Sequence, residues 1–263
     1  MDNNHHNTSS SESTAHGHGR PAGHADAGSH ALPGGLTVAA NGLRFDASET
    51  RLDAGVRREW TYRIRDEDGD AVTEFEETHD RLAHLVLVRR DLTRFQHLHP
   101  ELRADGTWSV EFSLPDPGVY RGFVDVLVGG RPTTLGADLL VSGAADYDAP
   151  PEPTREVTVD GYDLTMTPGD VAPNENVTLE FEVRTDGSAA RLDPYLGALG
   201  HLVALRDGDL AYLHVHPEET DPEDGLVRFA VRFPTAGRYR LFLQAKPRGE
   251  LITASFDVVV ETP

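Results

Sequence analysis

The sequence predicts an all-β chain made of two tandem β-sandwiches. Three observations predict it. From Leu36 onward, short apolar stretches recur roughly every 8–12 residues, divided by turn residues. No amphipathic helical pattern of convincing length interrupts them. The order of elements also occurs twice: Pro115, Gly118 and Tyr120 return as Pro234, Gly237 and Tyr239, with 234 − 115 = 119 at each position.

The elements follow in order. LTVAANGLRF reads as two short strands around Asn41-Gly42, a strong hairpin pair. REWTYRIRDEDGDAV reads as a long strand and a turn at Asp68-Gly69. RLAHLVLVRRDLTRFQHLHPE, Arg81 to Glu101, reads as an apolar hairpin. TWSVEFSL, VYRGFVDVLVGG and RPTTLGADLLVSG complete a sandwich of about seven strands. GAADYDAPPEPT follows, with prolines at 150, 151 and 153, and reads as an extended, semi-rigid linker. VTVDGYDLTM, NVTLEFEVRTDG, ALGHLVALRDGDLAYLHVHPE, DGLVRFAVRFPTAGRYRLFLQ and LITASFDVVV then repeat the series. Residues 1–34 are rich in Ser, Gly, Ala, Asn and His with almost no apolar bulk, so they are expected to be a disordered, His-rich tail. The expected organisation is tail 1–34, first sandwich 35–142, linker 143–154 and second sandwich 155–263.

The apolar hairpin carries the chemistry. His84 opens its first strand and His97 and His99 close its second. Their counterparts are His201, His214 and His216, with 201 − 84 = 117 and the same separation for the others. A two-residue loop at Asp207-Gly208 would pair residues whose numbers sum to 415, and the first copy in the same register would sum to 181. His84 would then face His97, His201 would face His214, and His99 and His216 would lie diagonal on the same face. The Arg90-Asp91 loop lacks glycine, so a wider connection is expected there. Three imidazoles would converge in each domain. Imidazole suits copper(II) and zinc, and three ligands leave room for a fourth. His79 or Glu77 in the first domain, and Glu218 in the second, are the candidates for it. The metal-free reading makes the same histidines core or interface residues. Both faces of each hairpin are apolar, so the histidine face must itself be covered, by a strand, the other domain or a partner.

Composition limits the alternatives. The chain has 263 residues, no cysteine, and only Met1 and Met166 as methionines. That excludes disulfides, thiolate metal sites, a blue-copper centre and a thioether site selective for Cu(I). The net charge of −20 argues against nucleic acid, which needs a basic footprint. No apolar run approaches the roughly 20 residues of a membrane span, and Met1 to Gly35 lacks the basic start and apolar centre of a secretory signal. The tail histidines His5, His6, His16, His18, His24 and His30 could capture metal weakly. There is no G-x-S-x-G elbow, cysteine nucleophile or phosphate loop, so no enzyme is expected.

Two resemblances add to this. The P-x-x-G-x-Y phrase resembles the entry to a late strand of immunoglobulin-like sandwiches, where a tyrosine hydroxyl bonds nearby backbone; Tyr120 and Tyr239 are read as structural on that ground. RRDLTRFQHLHPELRADGTWSV and YLGALGHLVALRDGDLAYLHVHPE resemble an uncharacterised family of two-domain envelope or secreted proteins of high-GC bacteria, over residues 36–263. Its domains are similar to the immunoglobulin-like or cupredoxin-like sandwiches of bacterial copper-handling proteins. The resemblance implies an extracellular or cell-envelope location. The reading that follows is a non-enzymatic protein that binds, sequesters or delivers copper(II) or zinc. The alternative is a metal-free adhesion or interaction module with a protein partner and structural histidines.

Overall fold

The computed structural model describes residues 33–213 and 215–261. The expected disordered tail therefore lies outside the described residues except for Pro33 and Gly34, and so does His214. Of His216 only the backbone is described. Among the described residues no helix is long and apolar enough to cross a membrane.

The chain is all-β and folds as two immunoglobulin-like sandwiches. The first holds β1 (Ala39–Ala40), β2 (Leu43–Ala47), β3 (Arg51–Asp53), β4 (Arg58–Arg65), β5 (Ala83–Arg89), β6 (Gln96–Leu98), β7 (Glu101–Leu102), β8 (Thr107–Phe112), β9 (Gly118–Val128) and β10 (Arg131–Ser142). Its sheets run β1-β2-β4-β8-β7 and β3-β10-β9-β5-β6. The second holds β11 (Glu156–Val159), β12 (Tyr162–Pro168), β13 (Asn176–Thr185), β14 (Ser188–Ala189), β15 (Gly200–Arg206), β16 (Tyr212–Leu213), β17 (His216–Glu218), β18 (Leu226–Arg232), β19 (Gly237–Ala245) and β20 (Ile252–Val260). Its sheets run β11-β12-β13-β18-β17 and β16-β15-β19-β20. Each sandwich thus has ten strands rather than about seven, because several runs are split where the chain passes between sheets. β6 and β7 are one such run, broken at His99-Pro100 as the chain leaves one sheet for the other. Pro217 does not end its strand but sits within β17, at a sheet edge, where its missing N–H costs no ladder bond.

Local chemistry explains the turns. Asn41 and Gly42 take φ of 54° and 77°, the left-handed pair of a type I′ hairpin. The first core is built around stacked and edge-on rings of Phe45, Trp60, Tyr62 and Trp108. The second centres on Phe181, Phe229 and Phe256. Tyr120 Oη donates to Asp116 O at 3.1 Å and Tyr239 Oη to Thr235 O at 3.0 Å, so both tyrosines are structural. The linker is pinned at both ends: Val119 N donates to Tyr147 Oη at 3.0 Å, and Arg238 donates to Pro151 O.

A third apolar cluster lies between the sandwiches and explains why both faces of each hairpin are apolar. Alternation along β5 sends Ala83, Leu85 and Leu87 into the first core and Val86 and Val88 to the other face. There they meet Val203 and Leu205 of β15, with Leu92, Phe123, Leu210, Tyr212 and Phe242 around them. The contacts are reciprocal. Phe95 stacks on Phe242 with centroids 4.1 Å apart, and Tyr212 packs on Phe123 at 5.4 Å. Phe95 and Tyr212 are counterparts (212 − 95 = 117), as are Phe123 and Phe242 (242 − 123 = 119). The two domains meet like the halves of an isologous dimer.

This interface corrects the expected register. β5 pairs Val86 with His97, a sum of 183, and β15 pairs Ala204 with Leu213, a sum of 417. Both hairpins are shifted by two residues from 181 and 415, which preserves every side chain's face. The cause is the loop. Asp209 accepts from Arg206 Nε at 2.9 Å and from Ala211 N at 3.1 Å, so Asp207-Gly208 is not the whole turn. Leu210 then takes φ of 61° and is buried in the interdomain cluster. In the first copy Asp91 accepts from Arg89 and Thr93, and Leu92 takes φ of 60° in the same cluster. A two-residue loop would deny both leucines that contact.

Candidate metal centre

The face of β5 and β6 that carries His84 and His97 is the interdomain face, so among the described residues the first hairpin's imidazoles meet His201 there. His84 is delivered by β5, His97 by β6 and His99 by the crossover to β7. Their donor nitrogens all lie within 4.8 Å of one another. With the register shifted, His99 extrapolates to the position level with His84 and His97 becomes the diagonal neighbour. His201 of β15 joins this group rather than standing in a separate site. Its ring stacks on His97 at 4.6 Å and on His84 at 5.5 Å. His79 closes another side, 5.5 Å from His201 and 6.0 Å from His84 between centroids.

Among the described residues one cluster draws on both domains, His84, His97 and His99 of the first with His201 of the second. Sequence reasoning counted each hairpin alone, and the facing of the two hairpins is a property of the interface. His214 lies outside the described residues, as does the His216 side chain. Glu218 is exposed on β17 opposite Arg228 and does not join the described histidines. Glu77 is exposed as well.

The hydrogen bonds select specific nitrogens. His84 Nε2 lies 3.0 Å from Thr78 O, and His97 Nδ1 lies 2.7 Å from Gln244 Oε1. Both outer partners are carbonyl oxygens when the Gln244 amide is oriented with Oε1 toward His97, and each outer nitrogen then carries a proton and donates. That uses both N–H protons of two neutral imidazoles. The inner pair, His84 Nδ1 and His97 Nε2, then face each other at 3.0 Å with lone pairs on both sides. Such a contact is repulsive unless a proton or a cation lies between. A third proton would make a buried imidazolium. Burial opposes this: it is the largest cause lowering the pKa of His84, of His97 to about 3 and of His99 to about 4. It pushes His201 well below the ordinary value too. His99 Nε2 is also buried with no hydrogen-bond partner, so it is a further nitrogen not committed to another group.

Gln244 and Thr78 were not legible as site residues, because neither type is an ordinary ligand for these metals. Position 244 does carry one indirect signal: it is the counterpart of Asp125 (244 − 125 = 119), and Asp125 pairs across β5–β9 with His84. Outside the cluster, His99 also borders an open cleft of about 360 Å³ lined by Glu59, Glu101 and Glu111.

Several solved structures are distantly similar. The adhesin FdeC of Escherichia coli aligns with a TM-score of 0.29 and 15% identity, over 85% of this chain and 65% of that one. InvD of Yersinia pseudotuberculosis aligns with a TM-score of 0.29 and 14% identity, over 86% of this chain and 59% of that one. The titin immunoglobulin tandem A164–A165 aligns with a TM-score of 0.23 and 12% identity, over 84% of this chain and 97% of that one. The chain thus spans less than two thirds of either bacterial structure. No curated protein matches it. One family model does, a domain of unknown function (DUF8832), over residues 37–143 and again over 157–262, so the chain belongs to that family and carries its domain twice.

Proposed function

We propose that this protein binds a divalent transition metal, copper(II) or zinc, between its domains, without catalysing a reaction, and serves metal sequestration or delivery in the cell envelope. The ligands are His84 Nδ1, His97 Nε2 and His99. The observation that carries the reading is the pair of inner nitrogens 3.0 Å apart, each belonging to a ring whose other nitrogen donates to a carbonyl. Metal-bound histidines are held in this way, by an outer acceptor that fixes the tautomer and aims the lone pair. Metal–nitrogen bonds of about 2.0–2.1 Å at a tetrahedral angle put two ligand nitrogens about 3.3 Å apart, close to the observed separation. An all-nitrogen set with no thiolate or thioether favours copper(II) or zinc over Cu(I). Met166, the one methionine within the sandwiches, is buried in the second core. The envelope location rests on the resemblance of the hairpin phrases.

The metal-free interaction module is the second reading, and Gln244 supports it. If the Gln244 amide is turned over, its NH2 donates to His97 Nδ1 and the Thr253 hydroxyl, now 3.2 Å from Nε2, donates to Oε1. The chain of imidazoles is then neutral and complete with two protons. Calorimetric titration of chelator-stripped protein with copper(II) and with zinc at pH 7.5 separates the readings. The proposal expects a tight equivalent that disappears in His97→Ala/His99→Ala, above any weak binding by the tail. Identical titrations of the wild type and the double variant would leave the metal-free module.

A further inference from the structure

The two sandwiches differ at one sheet edge. β10 and β20 are counterparts, since β10 pairs Val141 with Gly118 and β20 pairs Val260 with Gly237, and 260 − 141 = 237 − 118 = 119. In the first domain the outer edge of β10 is occupied at three points. Gly35 N donates to Thr134 O at 3.0 Å and Gly136 N to Thr37 O at 2.9 Å. Leu140 N donates to Thr50 O at 2.7 Å, where β3 lies parallel to the end of β10. The equivalent positions in β20 are Thr253, Ser255 and Val259. Among the described residues β20 pairs with β19 alone, so the main chain at these three positions meets no further strand.

The cause is local. Residues 154–156, the counterparts of 35–37, turn onto β12 instead, where Met166 N donates to Arg155 O at 2.7 Å. β12 keeps pairing with β13 through Pro168, whereas its counterpart β2 ends at Ala47, early enough for the chain to cross over as β3. Residues 169–172, the counterparts of 50–53, form no strand. A groove of about 360 Å³ is left between residues 169–171 and the end of β20 at Val258 and Val259. The β20 sequence, ITASFDVVV, has no proline, lysine or arginine, the residues that natural edge strands use against pairing. Its one charge, Asp257, is already faced by Arg238 and Arg240 of β19 at 3.0 and 3.6 Å. Leu251 and Val259, one just before the strand and one near its end, are 47% and 50% exposed. In an antiparallel pair of two β20 strands centred on Ser255, paired residue numbers sum to 510. Leu251 of each copy then faces Val259 of the other, and Asp257 faces Thr253. These positions alternate with the core-facing Ile252, Ala254, Phe256 and Val258, so the seam lies on the outer face of the sheet. They also share the parity of Thr253, Ser255 and Val259, so the register is one in which outward main-chain groups meet each other.

We infer that β20 is a dimerisation edge: a second copy of this chain adds its own β20 antiparallel about Ser255, joining two four-stranded sheets into one continuous sheet. Such a contact is isologous and uses up both edges, so assembly stops at two. Sedimentation equilibrium of the full chain tests this, in excess chelator so that metal cannot bridge copies. The expected result is a reversible monomer–dimer equilibrium. Val259→Lys sets a charge opposite Leu251 at both ends of the seam and should weaken the dimer at least about 10-fold. Ser255→Pro removes the N–H at the centre and should weaken it too; on an outward-facing edge position it takes no bond from the β19 ladder. Leu140→Lys, the counterpart of Val259 on the closed edge of β10, should leave the dimer unchanged. Circular dichroism checks that each variant is folded. A wild type that stays monomeric through the micromolar range overturns the inference and leaves the edge to an extended peptide of another protein. A dimer that Val259→Lys leaves intact, or that Leu140→Lys disrupts equally, overturns it as well.

Discussion

Between pH 6.5 and pH 4 the metal-free protein is expected to lose several kcal/mol of folding stability. Burial lowers the pKa of His97 to about 3 and of His99 to about 4, and those of His84 and His201 fall as well. In the unfolded chain the same imidazoles protonate near 6.5. Below that pH the unfolded state binds protons that the folded state refuses. Stability therefore falls as pH falls, starting at about 6.5 and continuing to the folded values near 3–4. Each buried histidine contributes at most about 1.4 kcal/mol per pH unit over this window. Urea unfolding in excess chelator at pH 7, 6 and 5 reads the slope directly. His97→Gln should flatten it by up to that amount, whatever the variant does to stability at pH 7. Equal slopes in wild type and variant would mean that His97 is not held neutral.

Arg89→Met is expected to cost about 3–5 kcal/mol, the range for removing one partner of a buried ion pair. The Arg89 and Asp91 side chains are 3% and 7% exposed, and Nε and Nη2 reach the two carboxylate oxygens at 3.0 and 2.6 Å. Burial alone would raise the Asp91 pKa; the bonds from Arg89 and Thr93 outweigh it and hold the carboxyl at about 2. Methionine fills the space but leaves a buried carboxylate uncompensated. Nη2 also holds Asp148 of the linker at 3.1 Å, so the tie to the interdomain segment goes as well. The second copy supplies a control. Arg206 and Asp209 are 19% and 42% exposed, so Arg206→Met should cost about 1 kcal/mol or less. Chemical unfolding of the two variants checks the contrast. Similar small losses in both would show that the Arg89 pair is solvated.

Much of the fold was legible because its rules are local. Alternation of apolar residues along β4 and β13 and the unbroken apolar runs of β5 and β15 placed the strands, and Asn41-Gly42 and Asp68-Gly69 placed turns. The duplication was legible because a 119-residue offset carries Pro115, Gly118 and Tyr120 onto Pro234, Gly237 and Tyr239. What was not legible is set by contacts between the halves. The two-residue register shift follows from Leu92 and Leu210 reaching into a shared cluster, and no single hairpin contains that information. For the same reason His201 was assigned to its own trio, although its ring stacks on His84 and His97 of the other domain. The candidate ligands were readable as residue types on one face. The groups that orient them, the Thr78 carbonyl and the Gln244 amide, were not, because backbone carbonyls and amides carry no distinctive pattern in sequence.

The central claim is that His84 Nδ1, His97 Nε2 and His99 share one ion, and X-ray absorption at the zinc edge tests it most directly. The sample is protein loaded with one equivalent of zinc, beside His97→Ala/His99→Ala treated identically. The expected result is a first shell of at least three imidazole nitrogens at about 2.0–2.1 Å, lost in the double variant. A shell dominated by oxygen, or the same spectrum from His97→Ala/His99→Ala, would contradict it.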